Sequence, residues 1–177
     1  MRRVLIVEDD RKIQANLIFQ LREEGFEPRA VGSAEDALAL LEKDGAEPPD
    51  LLLCDVRLPG RSGIDLVRRL VEAERLPPTV IVSGEASISE TVEALRLGVH
   101  DFIEKPFSKE RLLRSVRNTL EHADLRLDHA LAVLGRVVLE VLGQVAELAR
   151  QQFGAAEGAR RRLPLVGVLL RLPGQHQ

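Results

Sequence analysis

The sequence predicts an α/β protein: a doubly wound, parallel five-stranded sheet of five β-α units, followed by a helical extension. Two observations carry this. Apolar runs of about four residues, VLIV, LLLC and TVIV, are continuous rather than alternating and are bounded by turn residues. Strands buried on both faces, as in parallel sheets, have that pattern. Between the runs lie stretches of helical period, so strand and helix alternate up to about residue 122.

The elements follow in order. VLIV (4–7) is the first strand. Ile13, Leu17 and Leu21 recur every four residues before Gly25, a stop signal, and Asp10 directly precedes this helix as its N-cap. PRAV (28–31) is a weaker strand candidate, followed by a helix through Ala34, Leu38 and Leu41. LLLC (51–54) is the third strand, and Leu66, Leu70 and Ala73 mark the helix after it. TVIV (79–82) leads to a helix with Val92, Leu95 and Leu97 ahead of Gly98. DFIE (101–104) is the last, weaker strand. Ser108 caps a final helix carrying Leu112, Leu113 and Val116.

In open parallel sheets, ligands bind beyond the carboxyl ends of the strands. Those ends hold Glu8, Asp9 and Asp10 after the first strand and Asp55 after the third. Ser83 follows the fourth strand and Lys105-Pro106 the fifth. Carboxylates brought together this way repel unless a cation lies among them. Hard oxygen ligands with room for water suit Mg²⁺. A carboxylate nucleophile beside a metal and a lysine can accept a phosphoryl group. Taken singly, Ser83 also fits turn chemistry and Lys105 an ordinary surface lysine; the constellation sets them apart.

VLIVEDD, DVRLPGRSG, VSG and EKPF, in this order and spacing, resemble the receiver domain of two-component response regulators over roughly residues 2–122. The likeness is greatest to receivers of the nitrogen-regulation class of sigma-54-dependent activators. The resemblance implies a flavodoxin-like sheet of order 2-1-3-4-5. It implies Asp55 as phosphoacceptor, Asp9 and Asp55 as Mg²⁺ ligands, Glu8 as a ligand through water, and Arg57 as a ligand through its backbone carbonyl. Lys105 would bind phosphoryl oxygens, and its bond to Pro106 is commonly cis in the family. Ser83 would hydrogen-bond the phosphoryl group and Phe102 would change rotamer with it. The partner would be a sensor histidine kinase, and the protein would be a switch, not an enzyme on other substrates. A haloacid-dehalogenase-type phosphatase needs a second acid two residues after the nucleophile, where this chain has Arg57. A receiver that docks partners without regulated phosphorylation is the alternative.

Bulk properties agree. The 177 residues suit one domain plus an appendage, and a formal net charge of −3 gives no reason to expect nucleic acid as partner. One cysteine, Cys54, permits no internal disulfide, and with no signal-peptide pattern the expected location is cytoplasmic. No stretch reaches the ~18 consecutive apolar residues of a membrane span, so no membrane partner is expected. Cys54 reads as a buried small hydrophobe, and the four histidines as surface residues.

Expected boundaries are 1–122 for the receiver, 123–152 for a helical linker and 153–177 for a poorly ordered tail. Residues 1–122 carry 18 basic and 23 acidic side chains, a net of −5; the remainder carries 7 and 5, a net of +2. The sequence holds no Gly-Lys dipeptide, hence no P-loop, and no recognisable DNA-binding module, so direct DNA binding is not expected. Whether the chain is a natural single-domain regulator or a shortened or frame-shifted longer activator stays open. Leu127, Leu131, Leu134, Val138, Val141, Val145 and Leu148 form an unbroken a/d heptad series. Val133, Val137 and Leu142 widen that stripe, which also suits docking on the chain's own domain. The favoured expectation is a parallel coiled-coil homodimer over 125–152.

Overall fold

The computed structural model describes residues 1–42, 47–84 and 87–153. The elements alternate as β1 (Arg3–Val7), α1 (Arg11–Glu23), β2 (Glu27–Val31), α2 (Ala34–Leu41), β3 (Leu51–Asp55), α3 (Gly63–Glu72), β4 (Thr79–Ser83), α4 (Ile88–Arg96), β5 (Asp101–Glu104) and α5 (Lys109–Phe153). The strands form one parallel sheet in the order β2-β1-β3-β4-β5.

Successive strand residues face opposite sides, so each apolar run feeds two cores. Leu5, Val7, Leu52, Cys54 and Ile81 point to one face and pack with Ala37 and Leu38 of α2 and Leu66, Val67 and Leu70 of α3. Val4, Ile6, Leu51, Leu53, Val80, Val82 and Ile103 point to the other, against Leu17 and Leu21 of α1 and Leu112 and Val116 of α5. Each fully buried aliphatic side chain is worth ~1.5–3 kcal/mol. A one-residue slip of any central strand would exchange its two sets, so the register is firmly specified.

Helix starts are fixed by side chains. Asp10 accepts from the amides of Lys12 and Ile13 at 2.7 and 3.2 Å. Ser62 and Asp65 cap α3 reciprocally, as Ser87 and Glu90 do α4. Gly25 and Gly98, with φ of +81° and +92°, follow the ends of α1 and α4, where the chain turns left-handed.

One expectation needs correction. His100 is not a surface residue: it is half-buried, its amide donates to Thr79 O at 2.8 Å, and its Nδ1 accepts from the Thr79 amide at 3.4 Å. Burial, with the nearby positive charge of Arg126, lowers its pKa. As expected, no 18 consecutive residues of α5 are apolar, but the helix is apolar on average. An 18-residue window of it has mean hydropathy 1.5, long and apolar enough by composition to cross a membrane, because Arg136 and Glu140 only interrupt the run.

The chain divides into two units, Met1–His129 and the remainder from Ala130. In the second unit, residues 130–153 are helix, and no described side chain from 130 to 146 is buried. Of the expected tail, Phe153 ends α5 and 154–177 lie outside the described residues.

Candidate phosphoryl-acceptor site

Strand register brings the site together. Val7 pairs with Cys54, so Glu8 and Asp55, each one residue further on, emerge side by side. Asp55 is level with Val82, which places Ser83 one step beyond it, level with Glu104. Lys105 then leaves β5 over the acidic pair. Its amide donates to Ser83 O at 2.8 Å, and its peptide bond to Pro106 is cis.

Carboxylate oxygens of Glu8, Asp9 and Asp55 lie within 4.8 Å of one another. Glu8 and Asp55 are buried, at 2% and 7% exposure, whereas Asp9 is open to solvent. The Lys105 ammonium bridges the buried pair, 2.6 Å from Glu8 Oε2 and 2.6 Å from Asp55 Oδ2. Asp55 Oδ1 accepts from the Arg57 amide at 3.0 Å. Gln14, in α1, anchors the loop after β1 by donating to the carbonyls of Glu8 and, at 3.1 Å, Val31.

Burial pushes the Glu8 carboxyl above the ordinary carboxylate value, although the Lys105 ammonium pulls it back. Burial alone would lower the Lys105 pKa; the bonds and charges of Asp55 and Glu8 outweigh it and raise it. Cys54, fully buried behind Asp55, has its thiol pushed up by desolvation and then by the two carboxylates, so it stays protonated and inert.

With its carboxylates ionised, the cluster carries three negative charges against one on Lys105, an excess of two. The donors are all hard oxygens, and Asp9 opens on water. That set fits Mg²⁺.

Ser83 is fully buried at the end of β4, and Phe102 is part-buried against the core on the α2–α3 face. Arg57 reaches sideways: its guanidinium pairs with Glu90 of α4 at 3.3 Å. Three structural residues of the site have no role in the sequence reading. Glu90 lies in the capping pattern Ser87-x-x-Glu90, which signals a helix start but not the ion pair. Gln14 has no signal. Gly63 ends the DVRLPGRSG motif, and its amide donates to Val56 O at 2.9 Å. A Cβ there would stand 2.0 Å from the Asp55 carbonyl oxygen.

Residues 4–117 match the family described as the response regulator receiver domain. The sensory transduction protein RegX3 of Mycolicibacterium smegmatis is 37% identical over 145 residues, 80% of this chain and 62% of RegX3. The C4-dicarboxylate transport transcriptional regulatory protein DctD of Rhizobium meliloti is 30% identical over 164 residues, 93% of this chain and 31% of DctD. The chain thus spans less than two thirds of either relative. A CheY-like receiver domain protein from Methanospirillum hungatei superposes with a TM-score of 0.66 at 28% identity, covering 71% of this chain and 98% of that one. NtrX from Brucella abortus gives 0.65 at 33% identity, covering 73% and 30%.

Proposed function

The chain belongs to the response regulator receiver family, and from that membership we propose that it is a switch phosphorylated on Asp55 by a sensor histidine kinase. The observation that carries this is the Lys105 ammonium, 2.6 Å from both Glu8 and Asp55 within an acidic cluster. In transfer, an Asp55 carboxylate oxygen attacks phosphorus. The P–N bond of the donor phosphohistidine breaks, and its electron pair stays on the imidazole nitrogen.

Lys105 leaves its bridge and pairs with a phosphoryl oxygen. Asp9, Asp55 and the Arg57 carbonyl would hold Mg²⁺, and Glu8 would act through water. When bound, Mg²⁺ neutralises charge on the transferring group. The Ser83 hydroxyl then donates to a phosphoryl oxygen, and Phe102 turns into the space vacated. The signal leaves through α4, β5 and the start of α5.

Acetyl phosphate with Mg²⁺ tests this. Intact-mass and peptide analysis should find a phosphoryl group on Asp55, absent with EDTA or in Asp55→Asn. Labelling of Asp55→Asn at the wild-type level overturns the assignment. A wild-type protein that never labels supports the phosphorylation-independent docking reading instead.

Residues 125–152 pair with a second copy as a parallel coiled coil. Support comes from α5 running unbroken through Phe153 and from its seam: Leu127, Leu131, Leu134, Val138, Val141 and Val145 are all 51–59% exposed. Six such side chains at ~1.5–3 kcal/mol each, when buried, outweigh the ~1 kcal/mol that Gly135 and Gly143 each cost the helix. Sedimentation equilibrium should show self-association that Leu134→Asp with Val141→Asp abolishes; a wild-type monomer at tens of micromolar refutes it.

A further inference from the structure

The coiled-coil seam uses only part of what α5 exposes. With Leu131 at an a position and Leu134 at d, the e and g positions between 129 and 146 are Ala130, Gly135, Val137, Leu142 and Gln144. In two-stranded coiled coils these flanking positions commonly carry the charges that set partner and orientation. Here none is charged. The window's only charged residues among Asp, Glu, Lys and Arg are Arg136 and Glu140, at f and c, on the side away from the seam.

At about 100° per residue, the a/d seam spans about 80° of the helix, but the apolar arc from Val137 through the seam to Leu139 spans about 200°. An arc reaching past a and d into e and g is the pattern of a helix packed in a bundle and is wider than a two-stranded seam alone needs. The outer residues are as open as the seam itself: Leu139 is 70% exposed, Leu142 56% and Val137 50%.

Area points the same way. A buried Leu or Val withdraws roughly 60–120 Å² of apolar surface from water. The six described seam residues of two helices therefore give roughly 700–1,400 Å², which only at its upper bound reaches the ~1,200–2,000 Å² of a stable specific interface. Val137, Leu139 and Leu142 supply the shortfall only if a second pair of helices covers them.

We propose that two helical pairs associate through Val137, Leu139 and Leu142 into a four-helix bundle, making the protein a tetramer. Within it Arg136 and Glu140 face solvent, and Ala132, Gly135 and Ala146 let neighbouring helices approach closely. The proposal rests on the helical pairing above, and light scattering with sedimentation equilibrium on the full chain separates the two.

At tens of micromolar, wild type should have four times the 19.6 kDa chain mass. Leu139→Glu with Leu142→Glu should halve that mass while helicity by circular dichroism is kept. Wild type at twice the chain mass overturns the bundle and leaves the pairing intact; a monomer overturns both. The outer double variant remaining at four times the chain mass overturns the assigned stripe. Wild-type monomer co-sedimenting with phosphatidylcholine vesicles gives the stripe to lipid and overturns the bundle as well.

Discussion

Replacing Gly63 by alanine should destabilise the domain and slow its phosphorylation, although glycine-to-alanine near a helix start ordinarily stabilises by ~0.4–1 kcal/mol. The added Cβ would lie 2.0 Å from the Asp55 carbonyl oxygen and 2.9 Å from both the Asp55 carbonyl carbon and Cys54 Sγ. Real Cβ contacts essentially never fall below 3.0 Å, so β3 and α3 must separate by at least 1 Å. Neither yields easily. Cys54 is fully buried, and Ile64, Leu66 and Val67 tie the first turns of α3 into the same core. Overpacking of this kind costs ~1–3 kcal/mol. Stretching the Gly63-to-Val56 hydrogen bond removes up to ~0.5–1.5 kcal/mol more. The expected loss is ~2–4 kcal/mol, read from urea unfolding, against ~5–15 kcal/mol for a typical domain. Because the displaced atom belongs to Asp55, an ångström of misplacement should also slow acetyl phosphate labelling by up to about 100-fold. Gly143→Ala, outside the proposed helix–helix contacts, is the control. Nothing lies within 4 Å of its added Cβ, so it should stabilise α5 by ~1 kcal/mol. A Gly63→Ala protein as stable as wild type, labelled at the wild-type rate, would refute the close-approach reasoning.

Two further outcomes are expected. Ser62→Ala removes the acceptor for the Asp65 amide, 3.1 Å away, and should cost ~1 kcal/mol in urea unfolding with labelling chemistry intact. Asp101 is held below its ordinary 3.8: burial works against this, but bonds from Arg111, Ser115 and the Phe102 amide outweigh burial. A lowered folded value means that this stability is present above pH 3.8 and lost as pH falls through the folded pKa. Asp101→Asn should therefore be less stable than wild type at about pH 6, with the gap narrowing at about pH 3; an equal gap at both would show that the charge on Asp101 contributes nothing.

The central strands were legible because burial on both faces leaves no polar position to interrupt the run. Val4–Val7 and Leu51–Cys54 serve two cores at once, so every residue is apolar. The edge strands were faint for the complementary reason. β2 exposes Glu27 and Arg29, and β5 exposes Glu104, since an edge carries charge where a central strand cannot. His100 was misjudged because a histidine's burial depends on what its strand neighbours do. Thr79, 21 residues away, supplies the donor that lets its ring nitrogen be half-buried, and no local pattern announces a partner at that distance.

The residues of the candidate site were legible as positions, not as interactions. The rule that parallel strands aim their carboxyl ends at one rim selects Glu8, Asp55, Ser83 and Lys105 from unrelated parts of the chain. It does not say that one ammonium would lie between two buried carboxylates, because that depends on register: Val7 opposite Cys54, and Ser83 opposite Glu104. The same register explains why Asp55 can be buried at all. A buried carboxylate left without hydrogen-bond partners is costly. Lys105 and the Arg57 amide each satisfy one of its oxygens, at 2.6 and 3.0 Å, so a buried carboxylate with both oxygens partnered is held at the mouth of an apolar strand. In the proposed phosphorylation, whatever draws Lys105 toward an incoming anion would release an Asp55 oxygen in the same movement.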